Sequence, residues 1–178
     1  KARILEPFNN EYVSKYLISL VLEGKIVKAI NKAKIIKNKK INASYETDLL
    51  IAIGNLKNKN YEKNFFNLSQ IKIYKDKDKF QSVILNFLEE YTYLFQHNKI
   101  NNKLVNNYGH LTIINKAFQK CYIGDKNTKK FFNNAINSDE GDYSRYLFFY
   151  INFLITEGKI DEAKAVSEQI DILGTSLL

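Results

Sequence analysis

The chain has little of what small stapled folds, metal sites and turn-rich sheets require. It holds one cysteine, Cys121, so neither a disulfide framework nor a four-cysteine metal site can be built. One proline and seven glycines are too few for the turns of a β-sandwich and favour long helices. Methionine and tryptophan are absent. Arginine occurs only as Arg3 and Arg145, and histidine only as His97 and His110. No apolar run approaches the roughly 18 residues of a membrane span.

What is present reads as globular. Of 178 residues, 45% are apolar and 26% charged, a balance that excludes wholesale disorder. The length suits one domain or one run of stacked repeats. The net charge of +8 comes almost entirely from Lys, which travels with Asn, Ile, Tyr and Phe, the residues of AT-rich codons. The densest runs are Lys32–Lys40, Lys57–Lys63 and Lys72–Lys79, the last interleaved with Asp76 and Asp78. Nucleic-acid readers lean on Arg for bidentate contacts. The pattern therefore reads as a solvated Lys-rich surface rather than a nucleic-acid site.

The chain begins Lys1-Ala2-Arg3-Ile4 without Met, which is expected of a piece processed or cut from a longer protein. Residues Lys1–Asn10 lack the apolar core of a signal peptide.

The periodicity is helical from end to end. Tyr12, Val13, Tyr16, Leu17, Leu20 and Val21 follow the spacing of one apolar helix face. Glu23-Gly24 stops that helix, and Ile26, Ala29, Ile30, Ala33 and Ile36 form the next stripe. The unit recurs near the other end. Asp142 or Ser144 offers a cap. Tyr146, Leu147, Tyr150, Ile151 and Leu154 form one stripe, Glu157-Gly158 ends it, and Ile160, Ala163, Val166 and Ile170 form the next. Both junctions read Glu-Gly-Lys-Ile, with Ala29 and Ala163 three residues on. The glycines lie 134 residues apart, from 24 to 158, and four periods of about 34 fill that distance.

Three weaker junctions fall between, at Asn58–Tyr61, His97–Ile100 and Ile123–Asp125. Each follows an apolar stripe. The expectation is ten helices in five antiparallel pairs, spanning residues 10–40, 43–74, 77–108, 109–138 and 141–173, with a short helix over Asn101–Asn107. One pair cannot bury both faces of its stripes, so neighbours must stack. The whole of residues 1–178 reads as one helical repeat domain. Tyr74–Phe80 is the only linker candidate, and it is short and compatible with helix.

These junctions resemble the tetratricopeptide repeat. Leu17, Gly24, Ile26, Ala29 and Ala33 match its pattern in the first pair, and Ile151, Gly158, Ile160 and Ala163 in the last. Ala52, Tyr61 and Asn64 match partly in the second, as do Ala117 and Gly124 in the fourth. The usual Trp of the first helix and the Pro closing the second are absent. The order of segments is similar to divergent tetratricopeptide proteins of alphaproteobacteria, a group often exported and mostly of unestablished function. The resemblance implies a right-handed α-solenoid of about five helix pairs, a protein–protein interaction scaffold, and a periplasmic or exported location, with the cytoplasm as the alternative.

Catalytic chemistry is not expected. His97 sits at a helix end, where exposure or capping suits it better than ligation. His110 and Cys121 are three helical turns apart, roughly 16 Å, too far to share a metal, and Cys121 reads as a core thiol. The acidic pairs Glu89-Glu90, Asp139-Glu140 and Asp161-Glu162 are adjacent and diverge on a helix. Ser138–Asp142 is too short for a calcium loop. Gly124-Asp125-Lys126 is a turn rather than a phosphate loop. No nucleophile stands beside a His. The chain is therefore read as no enzyme, with no cofactor and no metal.

Twelve Tyr and twelve Phe exceed what one thin stripe needs. Consecutive aromatics such as Phe148-Phe149-Tyr150 and Tyr91–Phe95 are expected to be buried between neighbouring helices rather than to line a groove. The binding surface expected of the scaffold is the concave side formed by the first helix of each pair: Ser14, Ile18, Val21, Leu49, Ile53, Ile114, Phe118, Arg145, Phe148 and Asn152. Its mixture of apolar, amide and Arg side chains suits an extended peptide or helix of a partner protein. A nucleic-acid-binding helical repeat using a Lys-rich face is the alternative. The apolar tail Ile170–Leu178 predicts either more chain beyond it or a dimer through it.

Overall fold

The computed structural model describes residues 10–39, 44–71, 79–104, 108–137 and 144–174, without the side chains of 110, 144, 145 and 169–174. The described residues are all-helical. Nine helices follow one another: α1 (Asn10–Leu22), α2 (Ile26–Asn38), α3 (Tyr45–Lys57), α4 (Tyr61–Ile71), α5 (Lys79–His97), α6 (His110–Tyr122), α7 (Thr128–Ile136), α8 (Ser144–Thr156) and α9 (Ile160–Gly174). They fall into two compact units, Lys1–Val105 and Asn106–Leu178. None is long and apolar enough to cross a membrane.

Four of the turns between successive helices are built alike. Gly24 N–H donates to Val21 O at 2.9 Å and Lys25 N–H to Leu20 O at 2.8 Å. The same pair of bonds closes α3 through Lys59 and Asn60, α6 through Gly124 and Asp125, and α8 through Gly158 and Lys159. This is the Schellman closure, which satisfies orphan carbonyls and needs a left-handed residue at its centre. That residue has φ of 73° at Gly24, 57° at Lys59, 65° at Gly124 and 74° at Gly158. Asn98, after α5, is also left-handed at 50°.

After three of these turns the next helix begins two residues on, at Ile26, Tyr61 and Ile160. The residue five past the turn centre is then buried: Ala29, Asn64 and Ala163. After Gly124, Asp125-Lys126-Asn127 delays the helix to Thr128. The side chain of Asp125 accepts the Asn127 N–H at 2.8 Å and its carbonyl accepts the Thr128 hydroxyl at 2.6 Å. The buried residues of α7, Thr128, Phe132 and Ala135, consequently sit one position early relative to the other three helices.

In the first unit α1 packs on α2 and α3, and α3 on α2, α4 and α5. One core cluster joins Val13, Leu17 and Leu20 of α1 to Ala29, Ile30, Ala33 and Ile36 of α2 and Leu50 and Ile51 of α3. A second joins Ala52, Leu68, Ile71 and Leu85. Ser44 caps α3, its hydroxyl accepting the Thr47 N–H at 3.3 Å, and Glu46 and Asp48 occupy the first turn where the helix dipole favours them. Asp48 is buried and pairs with Lys37 of α2 at 2.5 Å.

Helices α2 and α3 approach so closely that Gly54 has no room for a side chain. A Cβ there would lie 2.6 Å from Ile30 Cγ2. Gly54→Ala should gain about 1 kcal/mol of helix propensity yet lose roughly 1–3 kcal/mol to overpacking, for a net destabilisation. The same change in an Ile30→Leu background, which removes Cγ2, should be neutral or stabilising. Urea unfolding of the four proteins of this cycle tests the contact, and equal shifts in both backgrounds would refute it.

In the second unit α6 pairs with α7, α8 with α9, and α7 packs on α8. Its core is aromatic. The Phe132 ring stacks on Tyr150 at 5.0 Å and lies 6.0 Å from Phe118 and from Phe153. Ile114, Ala117, Ala135, Leu154 and Ala163 fill the space around it.

The structure differs from the sequence expectations in three places. The short helix over Asn101–Asn107 does not form across 101–104, which is turn, and 105–107 lie outside the described residues. Helix α5 therefore has no second helix paired to it among them. Cys121 is half-buried at the edge of the aromatic core rather than within it. Phe148 and Phe149 are exposed, while Tyr150 beside them is 2% exposed. The covered side of α8 carries Leu147, Tyr150 and Leu154, and three consecutive residues cannot all share it.

Candidate binding face

The four identical turns give a common register for the helices that precede them. Ten residues before the turn centre stand Ser14, Leu49, Ile114 and Phe148. Six before stand Ile18, Ile53, Phe118 and Asn152. Three before stand Val21, Leu56, Cys121 and Ile155. Every surface residue expected from the sequence falls on these rows except Arg145, whose side chain lies outside the described residues. Leu56 and Ile155 belong to the same face and were not named from the sequence, although the spacing that places Val21 also places them.

Exposure along the rows is uneven. Ile18 is 44% exposed, Val21 37%, Ile53 37%, Phe148 65% and Ile155 50%. Asn152 is exposed, and its amide donates to the Phe148 carbonyl at 2.8 Å. Ser14, Leu49, Leu56, Phe118 and Cys121 are half-buried. Ile114 is 4% exposed and belongs to the core. Phe118 touches Phe132, Tyr146 and Phe149 edge-on. Helix α6 turns this row toward its neighbours, so Ile114 cannot contact a ligand and Phe118 presents an edge at most. The first unit therefore carries an apolar face of Ile18, Val21 and Ile53, and the second unit carries its own accessible set, Phe148, Asn152 and Ile155.

Ser14 and Glu46 tie α1 to α3 beside this face, the serine hydroxyl donating to Glu46 Oε2 at 2.7 Å. Burial opposes the charge on Glu46, but hydrogen bonds from Ser14, its own backbone N–H and Ser44 outweigh it and hold the carboxyl below its ordinary value. The contribution is present above the ordinary carboxylate range and is lost as pH falls through it.

No family model, curated protein or solved structure matches the chain.

The other candidate features are weak as chemistry. Burial, aided by the charge of Glu157, raises the Cys121 thiol above its ordinary value and keeps it protonated at neutral pH. His97 is exposed, its ring 4.4 Å from that of Tyr93, as expected for a helix-end residue. The His110 side chain lies outside the described residues. Among the described residues no three His, Cys, Asp or Glu converge as a metal site would require. A shallow depression of about 330 Å³ opens at the start of α4, lined by Lys59, Asn60, Tyr61, Glu62, Lys63 and Gln96. Among the described residues, ion pairs join Lys15 to Glu11, Lys25 to Glu23, Lys37 to Asp48, Lys120 to Asp125 and Lys129 to Glu162.

Proposed function

We propose that the chain is a protein–protein interaction scaffold whose units are built from helix pairs of the tetratricopeptide kind, stacked within each unit in the right-handed sense of that repeat. The first helix of each pair presents its outer rows to a peptide or helix of a partner protein. The observation that carries this reading is that exposed apolar side chains fall on the same few rows before one kind of turn: Ile18 and Ile53 six residues before its centre, Val21 and Ile155 three before, and Phe148 ten before. A core position would be covered, and a merely solvated helix face would be polar there. A peptide laid along the rows of the second unit would meet Phe148, Ile155 and the Asn152 amide, and one laid on the first unit would meet Ile18, Val21 and Ile53.

Selection of peptides from a random display library on the immobilised chain tests this. Enriched peptides should bind the purified chain in calorimetry. Ile53→Lys or Phe148→Asp should weaken that binding at least tenfold, about 1.4 kcal/mol, with the helical circular dichroism unchanged. Selection of nothing, or binding indifferent to both substitutions, would refute the reading. Retention of oligonucleotides that falls steeply with salt would favour the Lys-rich nucleic-acid alternative.

A further inference from the structure

The first of the four identical turns differs from the rest in what it exposes. Two residues before the turn centre the others carry Lys57, Tyr122 and Thr156, and three residues after it Glu62, Asn127 and Asp161. Every one of these has a polar group. The first turn has Leu22 and Val27 at those places, 83% and 59% exposed. The shared backbone closure shows that the turn itself does not call for aliphatic residues.

Charge is distributed in the same direction. Nineteen of the 27 Lys and Arg and ten of the 19 Asp and Glu lie within residues 1–105, a net +9, which leaves the second unit at −1. Helix α2 carries Lys28, Lys32, Lys34 and Lys37 and no acid. Helices α4 and α9 place Glu62, and Asp161 with Glu162, in their first turns, as the helix dipole favours. Helix α2 forgoes that stabilisation and has Lys28 there instead. Neither Lys28 nor Lys34 forms an ion pair among the described residues, although Lys25 and, to a smaller extent, the Lys28 charge hold the Glu23 carboxyl below its ordinary value.

We infer that the α1–α2 hairpin end docks on an anionic lipid surface, with Leu22 and Val27 entering the interface and Lys28 and Lys34 meeting the headgroups. The side-chain types separate a lipid surface from a protein partner. Protein hot spots are rich in Trp, Tyr and Arg and sit in pockets. This end offers Leu, Ile, Val and Lys on an exposed turn, the composition of an interfacial anchor. Leu22 lies one turn beyond Ile18 and next to Val21, so this end adjoins the α1 part of the peptide-binding rows, but vesicle binding does not require peptide binding.

Flotation of the full chain with phosphatidylcholine vesicles containing about one-third phosphatidylserine tests the inference. The chain should float with these vesicles and not with phosphatidylcholine alone. The pair Leu22→Ser and Val27→Ser, at exposed positions, should reduce partitioning about tenfold or more, and Lys28→Glu with Lys34→Glu should abolish it. Circular dichroism checks that both variants remain folded. Three results would overturn the inference: no flotation of the unaltered chain, flotation unchanged by the serine pair, or capture by polyglutamate through the same residues in place of vesicles.

Discussion

Phe132→Ala should cost about 3–5 kcal/mol, the range for emptying a buried aromatic site. Phe132 is 1% exposed. Its ring stacks on Tyr150, and it lies against Phe118 and Phe153 from two other directions. Rings from α6 and α8 thus rest on one side chain from α7, the shortest of the described helices. Their collapse into the space would have to break the hydrogen bond from Tyr150 Oη to Asn133 Oδ1 at 2.8 Å. Phe132→Leu keeps most of the volume and should cost less than about 1.5 kcal/mol. With no Trp in the chain, Tyr fluorescence and far-ultraviolet circular dichroism follow the urea transitions. A loss below about 1 kcal/mol for the alanine variant would mean that the ring does not hold this core together.

Asn64→Asp should destabilise the first unit by roughly 4 kcal/mol at neutral pH. Asn64 and Thr92 are both fully buried, and the Asn64 amide donates to Thr92 Oγ1 at 2.8 Å. The threonine hydroxyl in turn donates to the Leu88 carbonyl at 2.5 Å. The other amide atom, Asn64 Oδ1, has no hydrogen-bond partner among the described residues. An aspartate of the same shape would place a charge where nothing donates to it. Its carboxyl would be raised by about 3 units or more, at 1.36 kcal/mol per unit. The sign follows from that direction. Below the unfolded value near pH 4 both states are protonated and the variant should approach the parent in stability. As pH rises the unfolded state ionises first, and stability falls until the folded carboxyl ionises too. A variant equally stable at acid and neutral pH would show that this site is wet.

Most of the helices were legible from residue spacing because glycine marks three of the four shared turns and apolar residues recur at helical intervals between them. Lys59 takes the left-handed position without glycine's freedom, so the second junction showed only as a polar cluster. The delay at Asp125–Asn127 displaces the buried row of α7 by one residue, so Lys129, not a small residue, stands five past Gly124, where Ala29 and Ala163 follow Gly24 and Gly158. The buried Asn64–Thr92 pair joins residues 28 apart on different helices, and no local pattern announces it. Phe148 and Phe149 illustrate the opposite difficulty. Their hydrophobicity argued for burial, but coverage depends on how many helices surround α8, which spacing along one helix does not encode. For the proposed binding rows, turn spacing supplies the register, while the roll of α6 that buries Ile114 depends on packing against α7 and α8.

The pattern of helix neighbours bears on how fast the chain folds. Within each unit, helices pack on those adjacent in sequence or next but one, so productive contacts close only short loops. Helical proteins of such low contact order fold on microsecond-to-millisecond timescales. Stopped-flow refolding should therefore show its main phase completed near the instrument dead time, with Gly54 and Phe132 variants altering the unfolding limb more than the folding limb if their contacts consolidate late.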